Sequence, residues 1–156
     1  MGNEVERKFL VKGDSWRVGA KGTLYRQGFL STVKERTVRV RVAGEKAFLT
    51  VKGKSRGISR AEFEYDIPRE DANAMLDSLC EQPIIEKVRY KIDVGGSLWE
   101  VDEFHGENAG LIMAEVELPD ENAEFVKPEW IGDEVSDDAR YYNANLVSNP
   151  FSKWGK

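Results

Sequence analysis

Hydrophobic and polar residues alternate with period two along most of the chain. Eight runs carry the alternation and read as β-strands: 3–11, 24–31, 36–43, 47–53, 60–67, 85–92, 98–104 and 111–118. Short Gly-containing links, Ala43-Gly44-Glu45-Lys46 and Asp93-Val94-Gly95-Gly96-Ser97, predict hairpins and therefore antiparallel neighbours. His105 to Gly110 reads as a longer link of the same kind. One segment keeps a helical period instead: Ala72, Met75, Leu76, Leu79 and Cys80 recur at spacings of three and four between Pro68 and Pro83. Asp14–Val18 predicts a short turn and Pro128–Ile131 a docking segment. Ser136 predicts the cap of a helix from about Asp137 to Val147, with Pro150 beyond it. No repeat or linker divides residues 1–156, so one domain is expected. Eight antiparallel strands suit a closed barrel, whose interior holds side chains or one small ligand. The expected fold class is mainly β (α+β): an eight-stranded antiparallel barrel flanked by a few helices.

Successive side chains of a strand point to opposite faces. Glu4, Glu6 and Lys8 therefore oppose Val5 and Phe9; Arg39 and Arg41 oppose Val38, Val40 and Val42; Thr50 and Lys52 oppose Leu49 and Val51. Arg60, Glu62 and Glu64 oppose Ala61, Phe63 and Tyr65; Lys87, Arg89 and Lys91 oppose Val88, Tyr90 and Ile92. Glu100 and Asp102 oppose Trp99 and Val101; Glu115 and Glu117 oppose Ala114, Val116 and Leu118. Two orientations satisfy this pattern: an apolar core with charges in water, or a charged lumen with the apolar face outside. Three features favour the lumen. Every strand but the second shows the pattern, and charges rather than Ser, Thr or Asn dominate the polar face. Neighbours at i and i+2 mostly share a sign, although they lie only about 7 Å apart. Acidic strands also alternate with basic ones along the chain. A wet cavity with both signs suits hard cations on its carboxylates and phosphate oxygens on its Arg and Lys.

Composition narrows the alternatives. The chain has 156 residues and a net charge of −5, which argues against a general nucleic-acid binder. The single cysteine, Cys80, excludes an intrachain disulfide and reads as a buried structural thiol. The single histidine, His105, reads as a surface residue. No window approaches a membrane span and no apolar run opens the chain, so no membrane partner and a cytoplasmic setting are expected. Gly53-Lys54-Ser55 is not a P-loop, because Phe48 stands where the first glycine is needed and the segment is a strand entering a turn. The four tryptophans read as packing residues.

The charged strands, taken in order, resemble the CYTH family, or triphosphate tunnel metalloenzymes. Glu4-x-Glu6-x-Lys8 resembles its opening ExExK strand, Thr37-Val-Arg39-Val-Arg41 its paired-Arg strand and Leu49-Thr-Val-Lys52-Gly53 its lysine strand. Arg60-Ala-Glu62-Phe-Glu64, Lys87-Val-Arg89-Tyr90, Glu100-Val-Asp102 and Ala114-Glu115-Val-Glu117-Leu118 are similar to the remaining strands, and Glu134 to Leu146 to the tail of short bacterial members. The resemblance implies a tunnel with its charged face inward and metal-dependent chemistry on triphosphates, with two ions of Mg²⁺ or Mn²⁺. It implies Glu4, Glu6 and Glu117, with Glu115 nearby, as metal ligands. Lys8, Arg39, Arg41, Lys52, Lys87 and Arg89 are implied as phosphate-binding residues, with Arg60 at the mouth. Glu62, Glu64 and Asp102 are implied as supporting or second-metal groups at the catalytic centre beside Lys8. Lys8, flanked by carboxylates, stays charged and does not serve as a base. The C-terminal segment with Arg140 and Tyr141 is expected to plug one end. Hydrolysis of inorganic tripolyphosphate leads the functional expectations. A class IV adenylate cyclase-like activity, a nucleoside or thiamine triphosphatase and a non-catalytic polyphosphate-binding module stand beside it. An apolar barrel exterior makes a homodimer compatible with the fold.

Overall fold

The computed structural model describes residues 2–154. Ten strand segments are present: β1 Glu4–Val11, β2 Gly22–Ser31, β3 Arg36–Ala43, β4 Lys46–Gly53, β5 Ser59–Arg60, β6 Glu62–Asp66, β7 Ile85–Val94, β8 Ser97–Phe104, β9 Ile112–Glu117 and β10 Ile131–Glu134. Among the described residues two α-helices accompany them, α1 Arg69–Ser78 and α2 Asn143–Ser148. The hydrogen-bonded order is β10-β1-β9-β8-β7-β2-β3-β4-β6, antiparallel throughout. β5 spans from this path back to β1 through two paired positions, Glu4 with Arg60 and Val5 with Ser59. The single strand expected over 60–67 is thus broken at Ala61. Its first part bonds to β1 and its second to β4, so the expected closed barrel is not closed by a continuous sheet: the two ends of the path meet only through this two-position ladder. Beyond β5, the same edge of β1 is taken by β10.

Two of the three apolar clusters lie outside the ring. One gathers Val5, Phe9, Trp99, Val101, Ala114 and Val116 under Trp16, Trp130 and Ile131. Trp99 is its centre, edge-on to Phe9, Phe125 and Trp130. The second packs α1 on β3 and β4 through Ala72 and Leu76 against Val40, Val42 and Ala47. Pro68 precedes the helix, and Glu70 and Asp71 in its first turn complement the helix dipole. The end of α1 approaches β2 so closely that a Cβ on Gly28 would lie 2.8 Å from the Cβ of Cys80. The outer face of β6 is left uncovered, with Phe63 and Tyr65 49 % and 60 % exposed.

The third cluster lies on the inner face, at one end of the ring. Leu10, Phe29, Ile85, Phe104 and Met113 each stand two residues from a polar residue of that face, namely Lys8, Gln27, Lys87, Asp102 and Glu115. The period of two continues along each strand, but the side chains turn apolar. Tyr141, Leu146 and Val147 pack on them and seal that end. The helix expected over 137–147 is therefore shorter. A 3₁₀ turn at Ala139–Tyr141 and α2 are separated by Tyr142 in an extended conformation. Ser136 does not cap it. Its hydroxyl accepts from the Lys8 backbone N–H at 2.9 Å, tying the segment to β1. Arg140 stays outside the tunnel, paired with Asp138 and lying over Tyr141 and Trp154.

Candidate active site

The ring encloses a cavity of about 460 Å³. Ten basic and seven acidic side chains line it, so the lumen is cationic although the chain carries −5. The residues singled out by sequence share this one space: Glu4, Glu6, Lys8, Arg39, Arg41, Lys52, Arg60, Glu62, Glu64, Lys87, Arg89, Glu115 and Glu117 all line it. Asp102 is the exception. It is 2 % exposed and sits beneath the surface, where it accepts from Arg89 Nε and Nη2 at 2.7 and 2.8 Å and pairs with Lys87 at 2.8 Å. His105 is exposed in its loop. Cys80 is buried beneath α1, where burial, with Glu81, pushes its thiol up.

The charges do not alternate in space as they do along the chain. Sequence neighbours are not all sheet neighbours: β1 lies beside β9, and β9 beside β8. Glu4 and Glu6 of β1, Glu115 and Glu117 of β9 and Glu100 of β8 therefore fall on adjoining strands, while Glu62 and Glu64 lie on β6 at the far end of the path, beside β4. Lys87 and Arg89 of β7, Arg39 and Arg41 of β3 and Lys52 of β4 form the facing wall, with β2, whose inward residues Tyr25, Gln27 and Phe29 are neutral, between β7 and β3.

Pairing across the ring is uneven. Lys8 bonds Glu115 and lies 3.4 Å from Glu6. Burial works to lower the Lys8 ammonium, but Glu115 and Glu6 outweigh it and hold it above the ordinary lysine range. Lys52 bonds both oxygens of Glu4, at 3.0 and 3.1 Å, with Arg60 3.5 Å from the same carboxylate. Arg89 is held by Asp102, by Glu100 at 3.1 Å and by Glu115 at 3.2 Å. At Lys87, Arg41, Lys52 and Arg39 burial nonetheless outweighs the neighbouring anions. Burial pushes Lys87 down to about 7, opposed by Asp102 and reinforced by Arg89 and Arg41. Burial also lowers Arg41, aided by Arg39 and Arg89, and lowers Lys52, aided by Arg39. Arg39 is lowered by burial against the pull of Glu64, and its buried Nε has no partner.

The acidic wall carries the opposite imbalance. Glu6 and Glu117 stand directly across the β1–β9 ladder, an arrangement that is repulsive for like charges. One row further, Lys8 faces Glu115 instead. Among the described residues Glu117 has no cationic partner within ion-pair distance. Burial, then Glu4, Glu6, Glu62 and Glu100, push its carboxyl up. Among the described residues no three acidic, histidine or cysteine side chains converge on one point, because Glu4 and Glu115 are turned toward lysines.

The parity of charge misses the contribution of β2, which carries Tyr25 and Gln27 inward. Tyr25 lies beneath the guanidinium groups of both Arg41 and Arg89, 4.8 and 5.2 Å from its ring centre. Gln27 is fully buried and accepts from Arg41 Nε at 2.8 Å. Tyr142, Asn143 and Asn145 reach the lumen from the C-terminal segment, where the sequence points to Arg140 and Tyr141. Thr50 is buried between Arg39 and Glu64.

Residues 2–144 match the CYTH domain. The chain belongs to the CYTH domain family. An inorganic triphosphatase of Acetivibrio thermocellus is 58% identical over 154 residues, 99% of both chains. An inorganic triphosphatase of Nitrosomonas europaea is 37% identical over 152 residues, covering 92% of this chain and 96% of that one. The crystal structure of an inorganic triphosphatase superposes with a TM-score of 0.63 at 34% identity, over 92% of this chain and 93% of the other. The mainly antiparallel β fold is thus that of the CYTH family. No helix among the described residues is long and apolar enough to cross a membrane.

Proposed function

We infer that this CYTH chain hydrolyses inorganic tripolyphosphate to pyrophosphate and orthophosphate with divalent cations, Mg²⁺ or Mn²⁺, two per site. One observation carries the reading: a single lumen brings buried cations whose charge burial disfavours, Lys87, Arg39 and Arg41, to face a wall of carboxylates in which Glu6 opposes Glu117. Neither anion binding nor cation binding alone calls for both. A metal–polyphosphate complex does. The names borne by the relatives from Acetivibrio thermocellus and Nitrosomonas europaea support the same substrate.

The carboxylates fit a hard divalent cation, since Glu6 and Glu117 oppose each other and, among the described residues, Glu117 has no cation within ion-pair distance. Glu4, Glu6 and Glu117, with Glu62 adjoining, would hold it. When bound, it supplies Lewis-acid polarisation of a phosphoryl oxygen. The protein's own part is positioning and charge neutralisation, which phosphoryl transfer chiefly needs. Arg39, Arg41 and Lys87 offer charge to the polyphosphate, Arg41 with its terminal nitrogens free of carboxylates. Arg89, fixed by Asp102, Glu100 and Glu115, is oriented before substrate arrives. Water adds to the terminal phosphorus as the bridging P–O bond breaks; pyrophosphate leaves against the basic wall, and the protons of the water leave with the orthophosphate and equilibrate with solvent. Lys8, held charged, neutralises rather than accepts a proton. Asp102 acts from beneath by fixing Arg89 and Lys87, while Glu64 holds Arg39 through Thr50.

Phosphate release measured over tripolyphosphate, ATP, GTP and thiamine triphosphate, with each metal, tests this. Turnover is expected to be fastest on tripolyphosphate and to vanish with a chelator. Cyclic AMP with pyrophosphate from ATP would replace the reading with a cyclase. Tight tripolyphosphate binding without turnover would leave a binding module.

Lys87 adds a second expectation. At pH 8 its amine is mostly neutral, given its shift to about 7. A polyanion beside it favours the charged form and raises that value. Binding of tripolyphosphate should then take up as much as one proton at pH 8 and almost none at pH 6. Calorimetry in buffers of differing ionisation enthalpy reads the uptake, which Lys87→Met should remove. Equal uptake at both pH values would contradict the assignment.

A further inference from the structure

The lumen orients its cations in two ways. Arg89, Lys52 and Lys8 are held by carboxylates, which also consume their charge. Arg41 is held differently: no carboxylate lies within ion-pair distance among the described residues, and its Nε donates to the amide oxygen of Gln27 at 2.8 Å. The Gln27 amide nitrogen donates in turn to Asn143 Oδ1 at 2.8 Å. The same Asn143 oxygen accepts from Lys87 Nζ at 2.9 Å. One neutral oxygen, delivered by the first residue of α2, thus anchors Lys87 of β7 directly and Arg41 of β3 through β2.

Resting on the function inferred above, we propose that the Asn143–Gln27 amide pair is a positioning device that aims Arg41 and Lys87 at the polyphosphate without neutralising Arg41. The chemistry of the pair decides this. A glutamate in place of Gln27 would hold Arg41 as firmly but cancel its charge, as Asp102 does for Arg89. Gln27 is fully buried, so solvent cannot replace its bonds, and its two ends are both used. Using Nε as the tether leaves both terminal nitrogens of Arg41 for a bidentate phosphate contact. Because Asn143 begins α2, and Leu146 and Val147 of that helix seat in the apolar end of the ring, seating of the C-terminal segment and presentation of two substrate cations are one event.

Asn143→Asp and Gln27→Glu test it. The Asn143→Asp change keeps the side-chain shape and both acceptor bonds, so a merely structural plug stays seated. The expected result is an unchanged Tm, a KM for tripolyphosphate raised about tenfold and kcat within about twofold, the pattern of lost binding charge. Gln27→Glu should raise KM similarly. The ¹⁵N resonance of Arg41 Nε–H supplies a readout that needs no substrate: its proton is expected to exchange slowly in the parent and rapidly in Asn143→Ala. An unchanged KM in both acidic variants, or an Arg41 signal indifferent to Asn143→Ala, would overturn the device. A parent that turns over no tripolyphosphate while its Arg41 signal still responds to Asn143→Ala would uphold the tether and sink the substrate assignment instead.

Discussion

Glu117→Gln should lower metal-dependent turnover by about 10²–10³-fold, the scale of losing one preorganised electrostatic contact at a reacting centre, while leaving the folded chain at least as stable. The two effects have one cause. Glu117 faces Glu6 across the ladder and is pushed up by burial and by four neighbouring carboxylates. Its negative charge serves a cation and works against the fold. A carboxyl whose folded value lies above its unfolded value destabilises the native state at high pH, and the penalty is relieved as pH falls through the folded value. Glutamine imitates the protonated form at every pH. The variant's Tm should therefore equal or slightly exceed the parent's at pH 8, and the difference should shrink at pH 5. Because part of Glu117 remains exposed, screening keeps the gain small. Calorimetry with a phosphate-release assay measures both. Retained turnover would remove Glu117 from the metal set, and a large drop in Tm would show that it is paired after all.

Much of this is legible in the residues because the strand period is two. Once Glu4, Glu6 and Lys8 are placed on one face, the rest of the lumen follows by parity, and the described strands 36–43 and 85–94 agree closely with their hydrophobic pattern. The order of walls is not legible. Placing β1, with Glu4 and Glu6, beside β9 is a long-range pairing that no local pattern specifies, and it helps turn sequential alternation into two opposed walls. β2 escapes notice for another reason: it contributes Tyr25 and Gln27, neutral groups with no charge to mark the face. The apolar end of the lumen does leave a signal. Leu10, Phe29, Ile85, Phe104 and Met113 continue the inner parity of their strands, so a change from charged to apolar along one face marks where the tunnel is filled. The C-terminal helix is shorter than its pattern predicts because Tyr142 leaves helical geometry to send its hydroxyl to the Ser136 carbonyl. That bond depends on the tether of Ser136 to β1, which lies 128 residues away in sequence.

Asp102→Asn should show the opposite balance to Glu117→Gln. Asp102 is 2 % exposed, holds Arg89 through two nitrogens and pairs with Lys87. Burial works to raise its carboxyl, but Arg89 and Lys87 outweigh burial and bring it to about 2. Truncating one partner of a buried pair leaves the other charge uncompensated, at a cost of about 3–5 kcal/mol. Lys87 escapes by shedding its proton, since burial already lowers it to about 7. Arg89 has no such route, because guanidinium does not deprotonate. It is expected to lean on Glu115, drawing that carboxylate from Lys8 and disturbing the lumen at one remove. The Tm should fall by roughly 10–15 °C at pH 7 for a chain of this size. The sign of the pH dependence follows from a depressed carboxyl: its stabilisation is complete above the unfolded value and lost as pH falls through about 2. The gap between parent and variant should therefore be full at pH 7 and narrow below about pH 4. Thermal unfolding from pH 3 to pH 8 reads it directly. A variant that melts with the parent at neutral pH would show that Arg89 does not depend on Asp102, and that the floor beneath the basic wall is held by something else.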